Sequence, residues 1–186
     1  MKALLLAFAA LPSLALADCP PVPERSARHT ELMDLVANAP NELQAQDHNN
    51  ALWAIWTTAP DDVAQQILLR GMERRRVFDF LGAIKDFDAL VDYCPHYAEG
   101  YNQRAFIHFL REDYEAALVD LRKTLEITPD HIGAASGVAL SLLEMGREAE
   151  GQLALRHALT LNPWLPERNQ LREMPVPQET DPAREL

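Results

Sequence analysis

The residues with the clearest chemical potential lie in the stretch Cys94-Pro95-His96. A thiol beside an imidazole could serve as a nucleophile, as a metal ligand or as half of a disulfide. The chain holds one other cysteine, Cys19, and its six histidines show no HxxxH or CxxC spacing. Because Cys94 and His96 alone do not complete a zinc ligand set, no metal site is predicted, and no cofactor is expected.

Motifs of the common enzyme classes are absent from the sequence. It contains no glycine-rich phosphate loop, no GxSxG turn and no kinase-type motif. Carboxylates are plentiful in the central part, but we expect them on solvated helix faces or in turns, where nothing shifts their pKa for acid-base catalysis. These carboxylates are Asp86, Asp88, Glu112, Asp113, Glu115 and Asp120. The sequence therefore predicts a protein that is not an enzyme.

The N-terminus predicts an exported protein. Lys2 precedes an apolar run over residues 3–17 that ends in Ala-Leu-Ala, the pattern of a secretory signal peptide spanning residues 1–17. The run is short for a bilayer span, so we expect a periplasmic protein without stable membrane insertion after cleavage; a retained anchor is the alternative. The formal net charge of −11 argues against nucleic acid as a partner.

A period of 34 residues runs through the middle of the chain, because Pro95, Pro129 and Pro163 recur at that step. Small residues and large apolar residues keep the same period. They are Gly71, Ala105 and Ala139, then Ala83, Ala117 and Gly151, and finally Phe87, Leu121 and Leu155. Within each unit, apolar residues at helical spacing flank a polar turn, and the proline ends the second helix. Each unit is therefore predicted to be a helical hairpin.

This pattern resembles the tetratricopeptide repeat, a 34-residue helix-turn-helix unit with small residues at the helix crossing and a proline at its end. The resemblance implies an all-α fold, a right-handed α-solenoid of helical hairpins with capping helices at both ends. The repeats fall at residues 61–97, 98–131 and 132–165. The stretches ALWAIW, YAEGYNQRAF and GREAEG also resemble small exported tetratricopeptide-repeat proteins of Gram-negative bacteria.

The segments on either side of the repeats are predicted to cap the solenoid. Residues 18–60 contain two helical patterns that end at Pro40 and Pro60, which we interpret as an N-terminal segment and a divergent hairpin before the first repeat. Residues 166–174 predict a short C-terminal capping helix. Residues 175–186 are polar and proline-rich, and we expect them to be disordered.

The two cysteines are predicted to form a disulfide. Cys94 falls in the turn between the first two repeats, which we expect to be exposed, and Cys19 lies near the start of the mature chain. Disulfides persist in oxidising compartments, and an even number of cysteines in an exported chain favours pairing. The bond is therefore expected to tie the leading segment down across the N-terminal hairpin and to stabilise the fold by restricting the unfolded chain.

The concave face of the solenoid, formed by the first helix of each repeat, is the predicted binding surface. The candidate residues point away from the second helix of their own repeat. They are Gln65, Met72, Arg75, Asn102, Gln103, Phe106, Phe109 and Leu140. Phe106 and Phe109 are the best candidate anchors, because aromatic side chains dominate protein interfaces. Packing against the next hairpin is the alternative for both.

We interpret the chain as a non-enzymatic periplasmic adaptor or scaffold that binds a protein or peptide of the cell envelope on this face. A structural subunit that self-associates or docks into an envelope assembly is the alternative. The arginine-rich run at residues 70–76 could hold an acidic segment of a partner, or it could be a solvated helix end near the negative pole of the helix dipole. The sequence favours no particular oligomeric state.

Overall fold

The computed structural model describes residues 19–22 and 26–173, and this part of the chain is helical without β-strands. The helices are α1 (Ala27–Ala37), α2 (Glu42–Trp56), α3 (Asp62–Arg76), α4 (Phe80–Tyr93), α5 (Ala98–Leu110), α6 (Tyr114–Ile127), α7 (Ile132–Glu144), α8 (Glu148–Leu161) and a 3₁₀ helix at Pro166–Gln170. The predicted all-α solenoid is confirmed. The predicted signal peptide and the predicted disordered tail lie outside the described residues.

The three repeats are helical hairpins that stack on one another. Helices α3 and α4, α5 and α6, and α7 and α8 pair within the repeats, while α4 contacts α5 and α6 contacts α7 between them. The first helices also contact one another in order, α3 with α5 and α5 with α7. The side of the solenoid that these first helices form is the concave face.

The turn inside each hairpin uses one backbone conformation. Phe78, Glu112 and Gly146 lie 34 residues apart, and their φ angles are 63°, 61° and 72°. Glycine adopts this left-handed region without steric penalty, whereas a bulky side chain does so at a cost. Asp79 and Asp113 follow in the first two repeats, and each caps the next helix with its side chain. The 34-residue period of the sequence is therefore also present in the backbone φ angles of the turns.

Small residues at the helix crossings permit the close approach that the repeat pattern predicts. An added Cβ at Gly71 would lie 2.5 Å from Cε1 of Phe87, and one at Gly151 would lie 2.7 Å from Cδ2 of Leu143. Ala105, at the equivalent crossing of the second repeat, is fully buried. Side chains larger than these would force the paired helices apart.

The N-terminal hairpin, α1 and α2, packs on the third repeat. Its apolar residues share one core with residues of α7, α8 and the segment after α8. This core contains Leu32, Val36, Leu52, Trp56, Ile132, Ala135, Ala158 and Leu165. The sequence predicts that this hairpin caps the array, and in the structure its apolar face is covered by the third repeat, at the end of the array away from the first.

Polar contacts fix the hairpin in this position. The indole Nε1 of Trp164 donates a hydrogen bond of 2.9 Å to the backbone oxygen of Ala39 in the turn between α1 and α2. Arg168 forms an ion pair with Glu42, with 2.9 Å between Nη2 and Oε2. The segment after α8 thus holds the start of α2. Helix α2 crosses the concave face.

The predicted C-terminal capping helix is shorter than expected and of a different type. Its 3₁₀ helix ends at Gln170, and residues 171–173 are not helical; residue 174 lies outside the described residues. Hydrogen bonds from the side chain of Gln152 in α8 explain why the 3₁₀ helix ends at this point. Its side chain donates to the backbone oxygen of Gln170 at 2.9 Å and accepts from the backbone N–H of Arg172 at 2.7 Å. These bonds satisfy main-chain groups that a longer helix would have paired internally.

Cys19 and Cys94 form the predicted disulfide, with a separation of 75 residues along the chain and 5.1 Å between the Cα atoms. Cys94 caps the C-terminus of α4 and is fully buried in the core of the first repeat beside Leu90 and Tyr97. The expectation of an exposed turn is therefore wrong for this residue. The bond joins the segment before α1 to the core of the first repeat.

Removal of this bond should lower stability. We expect the Cys19→Ala/Cys94→Ala variant to lose about 2–4 kcal/mol in free energy of unfolding, because the unfolded chain is no longer closed into a large loop. Alanine at both positions avoids leaving a free thiol in the core. Urea unfolding followed by circular dichroism measures the loss. The variant should be insensitive to reductant, unlike the wild type, and equal midpoints for the variant and the oxidised wild type would contradict the expectation.

Candidate binding cavity

A cavity of about 390 Å³ lies between the concave face and α2. Six of the eight predicted binding residues line it, namely Arg75, Asn102, Gln103, Phe106, Phe109 and Leu140. Further residues of the second and third repeats also line it, together with Asn49, Trp53 and Trp56 of α2 and Glu167 of the 3₁₀ helix, which lie outside the repeats. The N-terminal hairpin therefore turns an open groove into a partly enclosed cavity.

The other two predicted residues are not among the described residues that line the cavity. Gln65 accepts a hydrogen bond of 2.8 Å from the backbone N–H of Ala59 and donates one of 3.1 Å to the backbone oxygen of Thr57. It thereby fastens the loop between α2 and α3. Met72 packs against the core of the first repeat. Both side chains contact the protein's own structure at these positions.

Phe106 and Phe109 differ in how they face the cavity. Phe106 is 44% exposed, and the guanidinium carbon of Arg75 lies 5.0 Å from its ring centroid. Phe109 is half-buried, packs against the core between the second and third repeats, and makes an edge contact with Tyr114 at 5.4 Å between centroids. Phe106 thus presents its ring at the opening, while Phe109 supports the wall of the cavity.

A buried polar network lies beneath the cavity and is centred on Glu99, which is 1% exposed. Its Oε2 lies 2.9 Å from Nε2 of His131, which is also buried. Gln103 donates to Oε1 of Glu99 at 2.5 Å, and Asn102 donates to the same carboxylate at 3.2 Å. Arg75 in turn donates to Oε1 of Gln103 at 2.5 Å. The network joins the first two repeats to the N-terminus of α7, because its members come from α3, from α5 and from His131, the residue that caps α7.

This network fixes the orientation of two predicted binding residues, Asn102 and Gln103, and through Gln103 that of Arg75. Burial lowers the pKa of the Arg75 guanidinium, and the charge of Glu99 opposes this effect. Sequence reasoning missed Glu99, because a single glutamate in the first turn of a helix has the pattern of a solvated residue. Its partner His131 lies 32 residues further along the chain, which is not the repeat period of 34 residues.

Trp56 connects the N-terminal hairpin to the network. Its ring stacks on the ring of His131, with 4.2 Å between centroids and 20° between planes. Its backbone oxygen accepts a buried hydrogen bond of 2.7 Å from the hydroxyl of Tyr97. The C-terminal end of α2 is therefore held at two points beside the Glu99–His131 pair.

A second cavity, of about 520 Å³, also has Trp56 and His131 in its lining. Its wall includes Val22 and Ser26, which flank residues 23–25. Since those three residues lie outside the described part of the chain, the first cavity is the better defined candidate site.

The arginine-rich run at the end of α3 makes contacts within the chain. Arg70 donates to Oδ1 of Asp86 at 2.8 Å, and Nε of Arg74 lies 3.2 Å from Oδ2 of the same carboxylate. Arg76 pairs with Glu73 one turn earlier at 2.7 Å. These pairs join α3 to α4 or lie on the surface of α3. An acidic partner would have to compete with them.

Asp86 and Asp120 are buried, although the sequence placed them on solvated faces. Arg104 donates to both oxygens of Asp120 at 2.7 Å, and the Arg70–Asp86 pair occupies the equivalent place one repeat earlier. The hydrogen bond to Asp120 raises the pKa of Arg104. The 34-residue period, applied to charged residues as well as apolar ones, would have predicted both pairs.

Among the described residues, no group of three or more His, Cys, Asp or Glu is arranged to hold a metal ion. In the same part of the chain, no helix has both the length and the apolar character needed to cross a bilayer.

The stacked 34-residue hairpins and the face lined by their first helices define a tetratricopeptide-type α-solenoid. No protein-family model matches the chain. Over 84 residues it is 38% identical to a tetratricopeptide repeat protein 36 homolog of Nematostella vectensis, covering 44% of this chain and 46% of the relative. Over 82 residues it is 33% identical to a TPR repeat-containing protein of Rhizobium etli, covering 44% of this chain and 36% of that relative. The chain thus spans less than half the length of either relative.

Solved structures show the same fold. The TPR2B domain in the pHsp70 complex of yeast Sti1 has a TM-score of 0.54 and 22% identity, covering 57% of this chain and 88% of that chain. MamA protein has a TM-score of 0.51 and 17% identity, covering 80% of this chain and 78% of that chain. The matched part of the chain is thus similar in sequence to two tetratricopeptide-repeat proteins, and the solved structures share its helical-repeat fold.

Ionisation of the Tyr97 hydroxyl should lower the free energy of unfolding at alkaline pH. Burial raises the pKa of its hydroxyl, and the charge of Glu99 acts in the same direction. Because the folded pKa lies above the unfolded value of about 10, the stabilisation is complete below that pH and is lost as the pH rises further.

We therefore expect the free energy of unfolding of the wild type to fall more steeply above about pH 10 than that of Tyr97→Phe. At neutral pH the variant should be less stable by about 1 kcal/mol, since the oxygen of Trp56 loses its donor. Urea unfolding over a pH series measures both effects. Parallel pH profiles for the two proteins would show that Tyr97 does not set the limit.

Proposed function

We propose that this protein is a non-enzymatic adaptor that binds a protein or peptide partner in the cavity between the concave face and α2. The observation that carries the proposal is the half-exposed ring of Phe106 at the opening of a preformed cavity. Arg75 holds this ring from one side, and the buried Glu99 network holds Arg75 through Gln103. Rigid aromatic groups at a concave surface are typical anchors for a partner.

The similar proteins support a macromolecular ligand. Tetratricopeptide-repeat proteins generally mediate contacts between proteins, and the TPR2B domain of yeast Sti1 was solved as a complex with pHsp70. The chain shares its repeat architecture with that domain. Extended peptides fit a groove lined by successive helices, because the groove runs along the array.

We further propose that the protein acts in the periplasm on a partner of the cell envelope. The signal-peptide pattern of residues 1–17 supports export. The disulfide between Cys19 and Cys94 supports an oxidising compartment, where such bonds persist.

A structural role through self-association or docking is the second candidate, and the turn of the first repeat favours it. Phe78 is 80% exposed and has a positive φ, and its neighbours Val77 and Leu81 are also exposed. Because the ring of Phe78 is not buried in the core, core packing does not offset the energetic cost of its positive φ. Contact with another protein would bury it.

Partner capture tests the proposed function. The purified protein, immobilised and incubated with envelope extract of the source organism, should recover a partner that Phe106→Ala recovers about tenfold less well, the effect of about 1.4 kcal/mol at an interface anchor. Val119→Ala is the matched control, because this apolar side chain of α6 is 68% exposed and does not line the cavity. Quantitative mass spectrometry measures recovery.

The same experiment separates the two candidates. Capture that survives Phe106→Ala but fails with Phe78→Gly would move the binding surface to the turn of the first repeat. Equal recovery by the wild type and Phe106→Ala would contradict binding in the cavity.

A further inference from the structure

We propose that the exposed side of α3 is a dimer interface, where it packs antiparallel against α3 of a second copy of this chain. Leu69 lies at the two-fold axis of the pair. Asp62 contacts Arg76 of the partner subunit at each end of the interface. The inference goes beyond the proposed function, and it gives the self-association of the second candidate a definite surface and symmetry.

The first repeat forms an uncovered end of the array. The N-terminal hairpin packs on the third repeat, at the other end. Helix α3 contacts α4 and α5, and its buried residues Ala64, Leu68 and Gly71 lie on the side that faces them. The opposite side of α3 is exposed to solvent. Since a terminal repeat of a solenoid needs a cap or a polar outer face to stay soluble, apolar groups on this side require a partner.

Apolar side chains do lie on this exposed side. Val63, Leu69 and Val77 are each more than half exposed. Phe78 follows directly, is 80% exposed and has a positive φ. Single apolar residues scattered over a surface need no explanation, whereas a set along one helix and the turn after it marks an interaction surface.

The spacing on the exposed side suits a second helix as the partner. Five exposed residues follow one another at alternating steps of four and three, which keeps them on one face of an α-helix. They are Asp62, Gln66, Leu69, Glu73 and Arg76. Because α3 spans Asp62–Arg76, Leu69 is also the middle residue of the helix.

The order of charges along α3 favours a second copy over an unrelated helix. Asp62 and Arg76 each lie seven residues from Leu69, which is about two helical turns. When two copies of α3 lie antiparallel about Leu69, Asp62 is level with Arg76 of the partner subunit at both ends. A two-fold interface requires such a self-complementary surface. The antiparallel arrangement also brings opposite ends of the two helix dipoles together.

Arg76 can make this new pair and keep the one it already has. Its Nε and Nη2 each donate to the carboxylate of Glu73 at 2.7 Å. A guanidinium has five N–H donors, so Nη1 is left to donate to Asp62 of the partner subunit. The Glu73–Arg76 pair is exposed and alone contributes little to stability, but a network of charges across an interface contributes more.

The exposed side of α3 suits neither a membrane surface nor the ligand of the cavity. Asp62, Glu73 and the formal net charge of −11 would be repelled by anionic lipid. Arg75, the residue of α3 that lines the cavity, lies on another side of the helix. The dimer therefore leaves the cavity open.

Sedimentation equilibrium of the purified protein over a concentration series tests the inference. The wild type should show a monomer–dimer equilibrium that weakens with salt, because the end pairs are charged. Leu69→Glu places two carboxylates at the two-fold axis and should raise the dissociation constant at least about tenfold. Since Leu69 is exposed, its urea unfolding midpoint should equal that of the wild type, which shows that the variant is folded.

Exchange of the charges tests the symmetry. Asp62→Arg and Arg76→Asp each place like charges at both ends, so each variant alone should dimerise about tenfold more weakly than the wild type. Mixed in equal amounts, the two variants should form heterodimers, because each end again holds one acidic and one basic side chain. Native mass spectrometry separates these species by mass. Arg122→Asp is the matched control, since this exposed arginine lies on α6, and it should dimerise as the wild type does.

A wild type that stays monomeric up to about 1 mM would overturn the inference and leave the exposed side of α3 to another protein or to a membrane. Dimerisation that Leu69→Glu does not weaken, or no heterodimer in the mixture, would also overturn it. Partner capture that depends on Phe106 would leave the proposed function standing in each case. Conversely, the expected dimer with partner capture insensitive to Phe106→Ala would overturn the proposed function and retain the interface.

Discussion

The contact on which the rest of the structure depends is the stack of Trp56 on His131. His131 and Glu99 are both fully buried, and a buried polar pair is tolerated only when its hydrogen bonds are made. The indole packs on His131, while Gln103 and Asn102 donate to the carboxylate. The same contact holds the C-terminal end of α2 beside the network, and residues of α2 line the cavity.

The repeat fold was predictable from the sequence because the same steric constraint recurs in each repeat. Two helices can cross closely only where residues such as Gly71 and Ala105 are small, and that requirement recurs at the period of the hairpin. The position of the N-terminal hairpin was not predictable, because its helices leave the repeat register. Leu52 and Trp56 show that α2 has an apolar face, but helical spacing does not say which distant surface will cover it.

The candidate site was also predictable in part: the sequence pattern identified residues of the repeats but not residues outside them. Helical spacing places Phe106 and Asn102 on one side of α5, and in the structure both line the cavity. It could not find Glu99, whose partner His131 lies 32 residues away, or Glu167, which belongs to the 3₁₀ helix outside the repeats and lines the cavity. Residues of the repeats and residues outside them thus both contribute to the cavity, and helical spacing found only the first group.

The central claim is that the N-terminal hairpin lies across the concave face and contacts the third repeat. Nuclear Overhauser effects between the ring protons of Trp56 and those of His131 test it most directly. Since the two ring centroids are 4.2 Å apart, strong cross-peaks are expected between these rings. Absence of these cross-peaks, with Trp56 contacting protons of α3 instead, would place the hairpin in front of the first repeat and contradict the account.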